Sequence, residues 1–249
     1  MIFRQLSEPL SNTYTYLLGC EETREALLID PVLPALERDV RVVQDLGLKL
    51  VYTVETHVHA DHITSARRLK HELGSRIAIA ALEGLPCTDV PLEEGRPLTL
   101  GSLALNPLHT PGHTAAHLAF TCADKVFTGD ALLIDGCGRT DFQNGDARAL
   151  YESVHTKLFS LPDDQLVYPG HDYHDRRVST IAQERKRNPR LGGGRTLAEF
   201  LAIMNELHLP YPKFIDFAVP GNTACGECPP ELPDELQQYC EQIQQSHQG

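Results

Sequence analysis

The chain has 249 residues, 41% hydrophobic, 22% charged and 6% aromatic, enough to bury a core without covalent staples and unlike a collagenous, low-complexity or disordered chain. Its 34 acidic against 22 basic residues leave a formal net charge of −12, which disfavours a phosphate-backbone partner and with it nucleic acid. No apolar run reaches the roughly 18 residues of a membrane span, and the opening MIFRQLSEPLSNTYTYLLGC lacks the basic-then-apolar order of a signal peptide.

Short strands come first, over Ile2 to Leu6, Thr13 to Cys20 and Glu25 to Asp30, and Pro31 ends the run. Leu36, Val40, Val43 and Leu46 then recur at helical spacing, with Gly47 as the stop. LKLVYTVET reads as a buried strand that runs straight into His57. Ile63, Ala66, Leu69 and Leu73 share one helix face, capped by Gly74. Extended pieces dominate Arg76 to Leu133: RIAIA, RPLTL, LALNPLHT, AHLAFTC and KVFTGDALL. Ala147 to Phe159 reads as helix and QLVYPG as strand. From about Ser179 the chain is mostly helical, with Leu197, Phe200, Leu201, Met204 and Leu207 forming a core-packing stripe. The Gly192-Gly193-Gly194 run reads as a turn between helices, so one domain over 1–249 is expected, its helical part over about 179–249. The pattern predicts a layered α/β domain with sheets face to face and helices outside.

Chemistry concentrates where predicted strands end. Thr56-His57-Val58-His59-Ala60-Asp61-His62 places four ligand-type side chains within six residues, between a strand and a helix. Imidazole and carboxylate donors of this kind suit zinc, iron or manganese. Thr110-Pro111-Gly112-His113-Thr114, Thr128-Gly129-Asp130 and Pro169-Gly170-His171-Asp172 each add a ligand-type residue at a strand end, where loops on a rigid sheet collect function.

The ordered set THVHADH, TPGHT, TGD and PGH resembles the metallo-β-lactamase superfamily, and the resemblance runs from the first strands through His171. It implies a four-layer αββα sandwich with a metal site at one edge. GDALLIDGCGRTDFQ over 129–143, with YPGHDYH, NPRL and IDFAVP, is similar to the persulfide dioxygenases of that superfamily rather than to its glyoxalase II-type thioesterases. The resemblance implies one Fe(II) per chain, held by His57, His113 and Asp130. Such a two-histidine, one-carboxylate set leaves positions open for substrate and O₂. It implies that glutathione persulfide, O₂ and water give sulfite and glutathione, and that the chain forms a homodimer. The alternative is an S-acylglutathione thioesterase of the glyoxalase II kind with a binuclear site, because His59, Asp61, His62 and His171 nominally supply a second set of ligands. In the dioxygenase reading those four surround and orient the ligands, and Thr128 orients Asp130 or a bound water.

Arg139 and Arg190 match family positions near the substrate and suit the carboxylates of glutathione, with Tyr173 beside them. Cys137 reads as a small buried thiol. Seven cysteines at irregular spacing read as reduced thiols, which points to a reducing, cytoplasmic setting; Cys225-x-x-Cys228 reads as a reduced pair without function. The tail after Pro230 reads as a short surface helix suited to a partner subunit.

Overall fold

The computed structural model describes residues 1–245, leaving aside the side chains of Glu235 and residues 241–245. Two six-stranded sheets face one another. The first holds, in spatial and chain order, β1 (Ile2–Glu8), β2 (Thr13–Gly19), β3 (Glu25–Ile29), β4 (Lys49–Val54), β5 (Arg76–Ala80) and β6 (Val90–Leu92). Its first three strands are antiparallel, and β3 to β6 run parallel. The second holds β7 (Leu98–Leu100), β8 (Leu103–His109), β9 (Leu118–Cys122), β10 (Lys125–Gly129), β11 (Leu166–Pro169) and β12 (Ser179–Thr180). Here only β10 and β11 are parallel.

Side-chain alternation explains the layers. In β2, Tyr14, Tyr16 and Leu18 enter the space between the sheets, while Leu17 turns to the outer face. In β3, Leu27 and Ile29 go inward, and Ala26 and Leu28 outward. Both faces of these strands are buried, so they read as continuous apolar runs rather than as alternation. Helices α1 (Leu36–Asp45) and α2 (Ala66–Leu73) cover the outer face of the first sheet through Val43 and Leu69. Over the second sheet lie α3 (Ala147–Ser153), α4 (Ile181–Arg187) and α5 (Leu197–Asn205), burying Leu150, Ile181 and Phe200. The result is the αββα order. Among the described residues no helix is long and apolar enough to cross a membrane.

Local chemistry sets the element ends. Gly74 closes α2 in the left-handed region at φ 71. Thr196 and Glu199 cap α5 reciprocally, and the Asp146 carboxylate accepts the Ala149 N–H at the start of α3. Several elements differ from the sequence expectation. The helix expected from Ile63 starts at Ala66, because Ile63 O accepts the Leu33 N–H and Thr64 bridges to Val32. The helix expected to reach Phe159 widens into a π turn over Val154–Leu158. AHLAFTC becomes strand only at Leu118, and KVFTGDALL ends at Gly129, since the residues beside them turn into the metal centre described below. In the α5 stripe only Phe200 is fully buried; Leu197, Leu201, Met204 and Leu207 are half-buried.

The cysteine expectation is corrected. Cys225 and Cys228 pair neither with each other nor as free thiols: disulfides join Cys87 to Cys225 and Cys228 to Cys240. Irregular spacing hid this because the partners come from segments 138 and 12 residues apart. Cys20, Cys122 and Cys137 are free and buried, and burial pushes the Cys137 thiol up to about 11. The helix expected after Pro230 is present. Helix α6 (Ile215–Thr223) and helix α7 (Asp234–Gln245) pack within the chain, Leu236 and Cys240 meeting Leu33, Ile63, Phe214 and Ala218.

Two predictions follow from packing. Opening both disulfides with a thiol reductant, monitored by alkylation and mass, lowers the melting temperature by at least about 5 °C, since each closes a loop worth roughly 3–5 kcal/mol. Asp39 is fully buried against Arg38, and burial lifts its carboxyl from 3.8 to about 6. The folded chain therefore holds this proton more tightly than the unfolded chain, and stability falls as pH rises from about 4 to about 6. Asp39→Asn removes that fall, so its stability relative to the parent improves by about 2–3 kcal/mol between pH 4 and pH 7 in denaturant titrations.

Candidate metal centre

The centre lies at one edge of the sandwich, where both sheets end. Beyond β4, Thr56 donates its N–H to Asp30 Oδ1 at 2.7 Å and its hydroxyl to Asp30 Oδ2 at 2.9 Å. Having given its proton to Asp30, that hydroxyl accepts from His57 Nδ1 at 2.9 Å. The His57 proton is thereby fixed on Nδ1, which leaves the Nε2 lone pair free. Beyond β8, His113 Nδ1 lies 2.7 Å from Arg139 O, a pure acceptor, so His113 also carries its proton on Nδ1 and presents Nε2 as a lone pair. Beyond β10, the Asp130 N–H donates to His117 Nε2 at 3.1 Å and Asp130 O accepts the Gly138 N–H at 2.7 Å.

Ligand atoms of His57, His113 and Asp130 lie within 4.8 Å of one another, with His113 Nε2 at 3.6 Å from Asp130 Oδ2. Asp130 Oδ1 is buried and has no hydrogen-bond partner. Two lone pairs and a carboxylate held against each other repel unless a cation sits between them. The donor set fits a divalent metal ion, and the sequence-predicted ligand set is brought together in full.

The neighbouring residues divide by partner. His59 Nε2 lies 3.2 Å from Asp30 Oδ1 and 3.4 Å from Glu55 Oε2. Burial works against its charged form, but the two carboxylates outweigh burial and raise its pKa well above 6.5. Burial pushes the Glu55 carboxyl up to about 7. Asp61 accepts from His62 Nδ1 at 3.0 Å, and His59, Asp61 and His62 form a second group with ligand atoms within 4.8 Å. His171 Nε2 lies 3.6 Å from both Asp61 Oδ2 and Asp130 Oδ1. Thr128 does not reach Asp130: its hydroxyl donates to Leu132 O at 2.6 Å and so shapes the turn that follows the ligand.

Of the substrate candidates, Arg139 grips Asp141 through Nε and Nη2 at 2.6 and 2.7 Å, donates to Pro210 O and stacks over the Phe142 ring at 4.6 Å. Arg190 donates to Cys137 O at 2.8 Å. Tyr173 is 67% exposed, its ring parallel to that of His171 at 6.2 Å.

Four supporting residues escaped the sequence reading. Asn222 on α6 accepts the Thr64 N–H and donates to His59 O and His62 O, closing the back of the HVHADH loop. Gln143 donates to Val58 O. Arg176 clamps Asp172, Asp135 and Ile134 O, tying the loop after β11 to the loop after β10. His117 is wholly buried behind Asp130. Only His117 carried a signal, as a histidine four residues after a ligand.

Comparison with known proteins agrees with this geometry. Residues 9–171 match the family described as the metallo-beta-lactamase superfamily. The human protein "Persulfide dioxygenase ETHE1, mitochondrial" is 51% identical over 231 residues, covering 91% of this chain and 89% of its own. A crystal structure of ETHE1 from Myxococcus xanthus superposes with a TM-score of 0.88 at 50% identity, covering 91% of this chain and 100% of that one. Hydroxyacylglutathione hydrolase GloC of Haemophilus influenzae is more distant, 36% identical over 68% of this chain and 88% of its own.

His113→Ala abolishes tight binding of one divalent ion per chain in chelator competition. Thr128→Val, whose hydroxyl touches no ligand, leaves that affinity within about threefold of the parent.

Proposed function

The chain belongs to the metallo-beta-lactamase superfamily and, within it, to the persulfide dioxygenases, and we propose that it oxidises glutathione persulfide at a single Fe(II) ion. One observation carries this reading: two Nε2 lone pairs and one carboxylate converge, each fixed from behind by its own hydrogen bond. When bound in such a three-ligand set, Fe(II) supplies open coordination positions and the redox chemistry that O₂ requires.

The chain's own residues do the rest. Thr56 and the Arg139 carbonyl hold the two imidazoles in one tautomer, so the donor atoms need no reorganisation. Asp130 contributes the anionic ligand. His171 Nε2, 3.6 Å from both Asp61 Oδ2 and Asp130 Oδ1, would hold a proton shared between those carboxylates and the bound substrate. Glutathione persulfide has two carboxylates, and Arg139 keeps two of its five N–H groups uncommitted for one of them. Tyr173, with its ring parallel to that of His171, would meet the peptide backbone of the substrate beside the metal group.

A second reading has one observation in its favour, the His59, Asp61 and His62 group, which is what a binuclear thioesterase would use. The higher identity to the dioxygenase than to the hydrolase favours the first. A homodimer and a cytoplasmic location belong to the proposal. Light scattering tests the former, and trapping free thiols at Cys87 and Cys225 on lysis tests the latter, because a reducing compartment opens such bonds.

Metal content and O₂ uptake, measured on anaerobically purified protein, decide between the readings. One iron per chain with O₂ consumption dependent on glutathione persulfide is expected. Two metals per chain, no O₂ uptake and hydrolysis of S-lactoylglutathione would overturn the dioxygenase reading.

A further inference from the structure

His117 lies outside the motifs that mark the metal centre, yet its ring is fully buried and meets the centre from behind. Its Nε2 accepts the Asp130 N–H at 3.1 Å, and its Nδ1 is 2.8 Å from Thr110 Oγ1. A nitrogen that accepts carries no proton, so the proton sits on Nδ1 and is donated to Thr110. The same bond removes His117 Nε2 from the list of metal donors. The ring stacks on His57, centroids 5.2 Å apart and planes 27° apart, and meets His113 edge-on at 6.3 Å.

The backbone is built around this contact. Gly129 has φ +47, and a Cβ there would stand 2.6 Å from His117 Nε2. Glycine in the TGD motif therefore leaves room for an imidazole to reach the amide of the next residue. On its other side Asp130 is held by the Gly138 N–H on its carbonyl. Between them the two bonds fix the main chain of the only residue in the three-ligand set whose side chain is short and negatively charged.

We propose that His117 is a positioning residue for the metal ligand Asp130: with Thr110 it locks the Asp130 main chain so that the carboxylate faces His57 and His113 before an ion arrives. The proposal rests on the metal reading of His57, His113 and Asp130. Without an acceptor the Asp130 amide would be left unpaired in a buried position and would rotate to find one, taking the carboxylate with it.

The test uses Fe(II) affinity, measured anaerobically by competition with a chromophoric chelator, and the visible spectrum of the Co(II)-loaded chain. His117→Leu fills the space without an acceptor, whereas His117→Gln offers Oε1 near the Nε2 position. The leucine variant is expected to bind Fe(II) about 10- to 100-fold more weakly and to shift the Co(II) bands, with the glutamine variant within about threefold of the parent. Equal losses of thermal stability in both metal-free variants, with parent-like Fe(II) affinity and Co(II) spectra, would overturn the proposal. If the leucine variant does not fold, Thr110→Val serves: it removes the acceptor of Nδ1–H and should weaken Fe(II) binding about threefold to tenfold. Unchanged affinity there overturns the role of His117. A parent chain that binds neither ion overturns the metal reading, and the role of His117 with it.

Discussion

The Asp30 carboxylate is the contact on which the metal edge depends. It is buried at the end of β3, where the chain takes φ 50 before Pro31; it accepts the Thr56 N–H and the Thr56 hydroxyl, and its Oδ1 pairs with the His59 ring at 3.2 Å. One side chain thus determines where β4 ends, which nitrogen of His57 is free, and which way His59 points. A buried carboxylate is tolerable only when its lone pairs are filled, and here each donor that fills them belongs to the ligand loop. The cost of burying the charge is offset by bonds that also organise the site.

The two sheets are joined differently along their length. Through the middle they meet by apolar packing, with Phe3, Tyr16, Phe127 and Tyr168 in mutual ring contact. At the metal edge they are joined by directed hydrogen bonds: Leu118 N–H to Thr56 O, Tyr14 N–H to Gly170 O, and the Tyr16 hydroxyl to Pro169 O. Apolar packing tolerates small slips, whereas main-chain bonds fix register. Ligands contributed by both sheets, His57 from one and His113 and Asp130 from the other, can therefore share one point without a rigid covalent frame.

The convergence of His57, His113 and Asp130 was legible because ligation demands particular residue types at strand ends, and strand ends can be read from apolar runs closed by polar turns. The layers were legible for the same reason: the helix faces and the runs in β2 to β5 carry period and length. The supporting groups were not. Asn222 and Arg176 act through amide and guanidinium groups that reach a loop from distant sequence, so no local pattern marks them. Thr128 stood next to the ligand motif and looked functional by position, yet its hydroxyl takes the nearest free carbonyl, that of Leu132. Spacing could not reveal the disulfides, since pairing depends on which segments the fold brings together.

The helical C-terminal part has a role that its polar composition concealed. Asn222 holds the carbonyls of His59 and His62, Cys225 O accepts the Arg67 N–H, and a Cβ on Gly226 would stand 2.3 Å from Thr64 O. These contacts fall within five residues of α6 and the turn after it, against the segment that carries four of the candidate ligands. Cys87 ties that turn to the loop between β5 and β6, and Cys240 ties the turn's far end to α7. The ligand loop is therefore held from the front by Asp30 and from behind by α6. Neither support belongs to the His57, His113 and Asp130 group, so the loop is held without drawing on the donors of that group.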